Sequence, residues 1–284
     1  MIDEIAALTT REIKKWMKNP FLLFMMIVQP VMWLGLFGKA FNLTGLVNID
    51  TSNLPPYVTQ QVSQIINETF NSLFGTTDYF TYMAAGMLAI IVLFTSMFSG
   101  MSIVWDRRFG FLNKVLVAPI KRGSIVLAKV FSSVLRALFQ SLLIFGIAFA
   151  FGLQLGNAFG ILDFLGILSV LFLLSLGLSS LFIALTIRIK SHETVIALAN
   201  LLNLPLMFAS NALVPIKQMP DWLQSLASWN PISYSTDAIR KFVLHSEAGL
   251  DLAQLAADFQ FLIVFALLFT TFGILWAERS LRKQ

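Results

Sequence analysis

Cysteine is absent from the 284 residues, and histidine occurs only at His192 and His245. Without thiols the chain can form no disulfide, thiolate metal site or cysteine nucleophile. Charge is scarce as well. Asp, Glu, Lys and Arg make up 12% of the residues, half of the ~25% usual in a soluble domain. Several motifs are also missing: no G-x-x-x-x-G-K-[ST] phosphate loop, no G-x-S-x-G elbow, and no His/Cys/carboxylate cluster at metal-ligand spacing. ATP binding by a phosphate loop and most membrane enzymology are thereby excluded, and no catalytic or metal-ligating residue is assigned.

What remains is apolar. The chain is 57% hydrophobic and carries 27 phenylalanines. A helix crosses the hydrocarbon core with about 20 apolar residues. Six segments qualify, at 21–41, 79–105, 125–151, 161–187, 194–213 and 259–277. The fold class is therefore an all-α integral membrane protein, a single 1–284 transmembrane domain with six spans. Pro205 should kink the fifth span by removing a backbone donor. The acids Asp3, Glu4 and Glu12 ahead of the first apolar run argue against a cleaved leader.

Lys and Arg set the orientation. One side holds Arg11, Lys14, Lys15 and Lys18, then the six bases from Arg107 to Lys129, then Arg188, Lys190, Arg279, Arg282 and Lys283. The other side holds only Lys39, Lys217, Arg240 and Lys241. Both termini are expected in the cytoplasm, and the two histidines then lie on opposite sides. Charge inside the spans is nearly confined to Arg136, about 10 Å into the third span, where a long side chain can snorkel to the interface or pair locally, readings favoured over a place in the transport path. Asp163 is expected to be a solvated cap on the fourth span. So little intramembrane charge argues against coupling to ions or protons. Transport energy would have to come from a partner.

Three segments outside the spans have character. Residues 1–19 place Ile5, Ile13 and Trp16 among bases at helical spacing, the pattern of an amphipathic interfacial helix. The outer loop 42–78 has no Lys or Arg, contains sequons at Asn42 and Asn67, and suits a short helix over 57–74. Residues 217–244 are too broken by Pro220 and Pro231 to span and too apolar for a free loop. They read as an outer re-entrant helical hairpin, with Asp221 capping one helix and Asn230-Pro231 starting a second.

The stretch WDRRFGFLNKVLVAPIKRGS, residues 105–124, is the substantial cytoplasmic connection. Phe109, Leu112, Val115 and Leu116 fall on one helical face, while Arg107, Arg108 and Lys114 project elsewhere. A short amphipathic helix of this kind suits a groove on a soluble partner, with the bases steering the approach. Ala118-Pro119 ends it.

The run DRRFGFLNKVLVAPIKRGSIVLAKV resembles the signature that follows the second span of ABC-2-type transporter permeases. The matching positions are Asp106, Arg107, Gly110, Leu112, Leu116, Pro119 and Lys129. A second landmark of that family matches at Pro215, Pro220, Trp222, Leu223, Asn230, Pro231, Tyr234 and Asp237. Within the family the chain looks most like the daunorubicin-resistance and multidrug-efflux permeases. It departs from them in the long loop 42–78 and in the phenylalanines Phe109 and Phe111 flanking Gly110.

The resemblance implies a permease subunit in a prokaryotic cytoplasmic membrane, with no cofactor of its own. ATP and Mg would sit on a separate ATP-binding-cassette subunit, and two permeases, as a homodimer, would pair with two ATPases. Residues 106–118 would form the coupling helix, its contact made by Asp106, Arg107, Arg108, Phe109, Gly110, Leu112, Lys114, Val115 and Leu116. The hairpin would gate the exit through Pro220, Trp222, Leu223, Trp229, Asn230, Pro231, Tyr234 and Asp237. The cargo would be hydrophobic or amphipathic: drug-like, lipid or glycolipid. A polysaccharide or lipid-linked glycan exporter, and a non-transporting anchor for a soluble protein, are the alternatives.

Overall fold

A computed structural model of the chain describes residues 2–40, 56–76, 78–117, 120–247 and 249–282. Every regular element among these residues is helical. In chain order they are α1 (Ile2–Met17), α2 (Pro20–Trp33) with a π-helical extension (Leu34–Ala40), α3 (Pro56–Phe74), α4 (Tyr79–Arg108) and α5 (Phe111–Val117). There follow α6 (Arg122–Ala150), α7 (Ile161–Thr186), α8 (His192–Phe208), a 3-10 turn (Ile216–Gln218), α9 (Asp221–Ala227), α10 (Pro231–Val243) and α11 (Leu252–Arg282).

Four of these helices are long and apolar enough to cross a membrane: Tyr79–Arg108, Arg122–Ala150, Ile161–Thr186 and Leu252–Ser280. The chain is a multi-pass membrane protein. The two other segments expected to span are shorter as regular helix. In α2 the α-helical stretch gives way to π-helix at Leu34, and residues 41–55 are not among those described. In α8 the helix runs through Pro205 and ends three residues later, so 209–213 are not helical as expected. The sequon at Asn42, the side chain of Asn67 and the break Ala118-Pro119 also lie outside the described residues and side chains.

The core is built around α4, which is buried on nearly all sides from Phe80 to Val104. A helix that is apolar all round must be covered all round, and α6, α7, α8 and α10 cover it. Small residues let these backbones approach. A Cβ added to Gly86 would stand 2.2 Å from the Ala212 carbonyl oxygen. Hydroxyls then stitch the layers together: Ser99 donates to the Ser179 carbonyl at 3.3 Å, and Ser179 donates to Ser133 at 2.8 Å. The outermost helix, α11, packs mainly on α7 and leaves Val264, Leu267, Leu268 and Leu275 uncovered, a face suited to lipid.

Polar groups inside the helices are used to join neighbours. Thr95 donates to Gln140, Asn203 donates to the Met97 sulfur at 3.1 Å, and Asn211 donates to Asp237. Asp163 is buried, contrary to the expectation of a solvated cap. It accepts from the Gly160 amide at 2.8 Å and contacts His245 Nδ1 at 3.0 Å, which ties the start of α7 to the end of α10.

Candidate functional site

At the end of the molecule where the bases gather, α4 stops at Gly110. Its φ of +69° is the left-handed conformation that favours glycine. The sharp exit reverses the chain into α5, so the connection expected as one helix over 106–118 is the last turn of α4, a glycine break and a separate seven-residue helix.

The apolar face of α5 points the other way from the expectation. Leu112 and Val115 are buried at 3% and 7% exposure, packed with Ile103, Ile125, Val126 and Ile183 of the chain's own core. The sequence periodicity identifies an apolar face correctly, but that face is already occupied. What α5 and its approach expose are Arg108, Phe109, Asn113, Lys114 and Val117, with Phe109 at 77% and Val117 at 89%. The side chain of Leu116 is not among those described.

Asp106 and Arg107 also turn inward. Arg107 donates to the carbonyls of Ile187 and, at 3.0 Å, Ile189, and so holds the turn between α7 and α8. Asp106 is 2% exposed and accepts from Lys129 Nζ at 2.6 Å. Lys129 also donates to Ser102 Oγ at 2.8 Å and to Glu12 at 3.3 Å. Arg11 and Lys15 complete the cluster, at 3.6 and 3.4 Å from Asp106, and the Arg11 guanidinium lies 3.2 Å over the Phe111 ring. One ammonium thereby ties α1, α4 and α6 together, and α5 is clamped to the same knot through Phe111.

Sequence reasoning matched Lys129 and Asp106 to a signature without pairing them, and it missed Glu12 altogether. A signal was present. Glu12 and Asp106 are isolated acids in strongly basic segments, and a buried charge needs a partner. Helix α1 does more than lie at an interface: Thr9 donates to the Ala128 carbonyl, and Trp16 packs edge-on against Phe139, so α1 runs along α6.

The far end of the molecule is arranged differently. Asn230 caps α10, accepting from the Ile232 amide at 3.0 Å, as the Asn-Pro pair suggests. Its amide also donates to the carbonyls of Leu206 and Ala209 at 2.7 and 2.6 Å, closing the frayed end of α8. Asp221 is not a cap; Pro220 occupies that position, and Asp221 stands in the first turn of α9. The Tyr234 ring stacks on Phe261 at 3.9 Å and its hydroxyl donates to the Ser228 carbonyl.

Arg240, which the sequence showed only as an outer base, is 7% exposed and pins this end. It donates to the carbonyls of Tyr82 and Ala212, and its guanidinium lies 3.4 Å over the Tyr82 ring. Burial holds the Asp237 carboxyl above the ordinary carboxylate range, with Arg240, Lys241 and the Asn211 amide pulling the other way. Of the expected gate residues, Asn230, Pro231 and Asp237 are thus committed to packing, Leu223 is half-buried, and Trp222 and Trp229 stand exposed.

Comparison with known proteins gives consistent results. Residues 3–244 match the family profile described as ABC-2 type transporter. The transport permease ycf38 of Pyropia yezoensis is 31% identical over 241 residues, 84% of this chain and 74% of the relative. The ycf38 permease of Cyanophora paradoxa is 31% identical over 247 residues, 86% and 76% of the two chains. The doxorubicin-resistance permease DrrC of Mycobacterium tuberculosis is 25% identical over 187 residues, 61% of this chain and 64% of the relative. Identity is therefore higher to the ycf38 permeases than to this drug-resistance permease, whereas the drug-efflux subgroup was the one expected to be most similar.

Proposed function

This chain belongs to the ABC-2 type transporter family, as a permease subunit whose ATP is bound by a separate subunit, and from that premise we propose that it exports a hydrophobic or amphipathic substrate. In this reading α2 with its π extension and α8 complete six spans, both termini lie in the cytoplasm of a prokaryotic cell, and two copies pair with two ATPases. Drug-resistance permeases among the relatives, and the apolar interior, favour a drug-like, lipid or glycolipid cargo.

One observation carries the coupling role. Helix α5 is anchored by Leu112 and Val115, and the side it leaves free carries Phe109 and Val117 with Lys114 between them. Large apolar groups at a polar, basic end of a membrane protein, away from the lipid-facing belt, suit a protein partner. The partner therefore meets Phe109, Arg108, Asn113, Lys114 and Val117. Asp106, Arg107, Leu112 and Val115 transmit the push inward, through Lys129 to α6 and through the Arg107 contacts to α7. At the far end, Trp222 and Trp229 are the movable part of the exit hairpin, with α10 as its fixed base.

The test is to purify the permease together with its ATP-binding-cassette subunit, in lipid. Phe109→Asp with Val117→Asp should abolish complex formation while the permease alone keeps its thermal stability. Undiminished complex formation and coupled ATP hydrolysis would sink the assignment, and a tight complex without any substrate-linked ATPase would favour the anchor reading.

A further inference from the structure

Arg136 does not snorkel. It is 7% exposed, and its Nε donates to the Ser132 carbonyl one turn back at 3.1 Å. Its Nη2 is buried with no hydrogen-bond partner among the described residues, and no salt bridge reaches it there. An unpaired guanidinium in a membrane interior is costly and calls for an anion. The nearby acids are shared among other cations. Glu12 is engaged by Arg11, Lys129 and Ser102, and Asp106 by Lys129, Arg11 and Lys15. Four cations meet two carboxylates, and the surplus faces a cleft.

That cleft, of about 80 Å³, is bordered by Lys15, Trp16, Asn19 and Arg136, by Ser102 and by the Glu12 carboxylate already held by Arg11 and Lys129, with Met26 and Phe98 at its upper edge. Met26 and Phe98 also border a second cleft, lined by Pro30, Trp33, Ile91 and Phe94. The two adjoin at those shared residues, where α2 leans on α1 and α6 and meets α4 chiefly through its π extension. From Trp105 in the lower cleft to Met87 in the upper one is about 27 Å along α4, at ~1.5 Å per residue. That accommodates a headgroup and a chain crossing one leaflet, about 15 Å of hydrocarbon.

We propose that the groove between α2 and the α4–α6 pair holds an anionic phospholipid of the bilayer, with its phosphate on Arg136 and Lys15 and one acyl chain along Met26, Trp33 and Phe94. A phosphate in the cleft balances the surplus charge, and Arg suits such an anion geometrically once its guanidinium turns to meet it. The two tryptophans, Trp16 and Trp105, stand where ring systems prefer the headgroup boundary. The proposal rests on the membrane setting and not on the coupling role of α5.

The test uses the full-length protein in uncharged detergent and reads binding of dioctanoyl phosphatidylglycerol by native mass spectrometry. The wild type should bind it at least tenfold more tightly than dioctanoyl phosphatidylcholine. Arg136→Gln should erase that preference, and Arg136→Lys should keep part of it. Met26→Trp, which blocks the junction of the two clefts without changing charge, should weaken phosphatidylglycerol about tenfold and leave inorganic phosphate unaffected. It also serves if Arg136→Gln does not fold. Equal binding of the two lipids by the wild type, or an undiminished preference in Arg136→Gln, overturns the proposal. Phosphate binding as tightly as the lipid, with Met26→Trp inert, reduces the groove to an anion site and overturns it too. Release of bound lipid on adding ATP and the ATPase would mark cargo in transit and reject a resident lipid. None of these readouts depends on ATPase coupling except the last, so the failure of one proposal is distinguishable from that of the other.

Discussion

Two buried cations at opposite ends of this molecule, Lys129 and Arg240, are met in different ways. At the basic end Lys129 is met by two carboxylates, Asp106 and Glu12, from two other helices. At the far end Arg240 is met by the backbone carbonyls of Tyr82 and Ala212 and by an aromatic face. Carboxylates sit on side chains and can be exchanged or displaced by another charge. Carbonyls belong to the backbone and move only when the chain does. The first arrangement suits a junction through which motion passes, and the second suits a fixed base.

The largest expected effect tests that contrast directly. Lys129→Met leaves Asp106 and Glu12 with only the half-exposed Arg11 and Lys15 as cationic partners, and removing the buried partner of an ion pair costs up to about 3–5 kcal/mol. Thermal unfolding of the purified protein should fall accordingly, and adding Asp106→Leu with Glu12→Leu should restore much of it. Additive losses in the triple variant would mean that the three groups do not form one unit. Next comes Arg240→Met, which leaves the Ala212 carbonyl without its partner. The expected cost is about 1–3 kcal/mol by the same measurement, with no rescue from changing any acid. Rescue by Asp237→Asn would break the distinction between the two ends. Asn230→Ala, losing a cap and two carbonyl contacts, should cost about 1–2 kcal/mol. The smallest effect is the most diagnostic of division of labour: Phe109→Asp should change stability by less than about 0.5 kcal/mol, because the side chain is exposed, while weakening the ATPase complex.

Much of this was legible in the sequence, and the reasons for the rest are physical. The four long apolar helices follow from runs of apolar residues, and the cap at Asn230 from local chemistry that a dipeptide can specify. The apolar face of α5 was legible too, but not what covers it. Periodicity identifies a face that avoids water, and Leu112 would give the same signal beneath an ATPase as it does above Ile125. Lys129 and Glu12 are separated by 117 residues, and their pairing depends on how α1 runs along α6, which neither segment states alone. Arg136 misled because a base near a span end usually reaches out, whereas here α1 and α2 stand over it. The fifth apolar segment misled in its length, since the end of α8 is set by Asn230, a residue from beyond the next turn.

The Lys129 knot also bears on how the chain is made. A polypeptide is made from the N-terminus, so Glu12 and then Asp106 precede Lys129 in the order of synthesis. The ammonium thus arrives among counter-ions already waiting for it and is spared a period alone in lipid. Reversing the charges, with lysines at 12 and 106 and an acid at 129, would keep both pairs with residue 129 in the finished protein while setting Arg11 and Lys15 against like charges. It would also place two cations ahead of the acid that settles them in the order of synthesis. Yield from such a variant, compared with its thermal stability once purified, would separate what the fold requires from what its birth order requires.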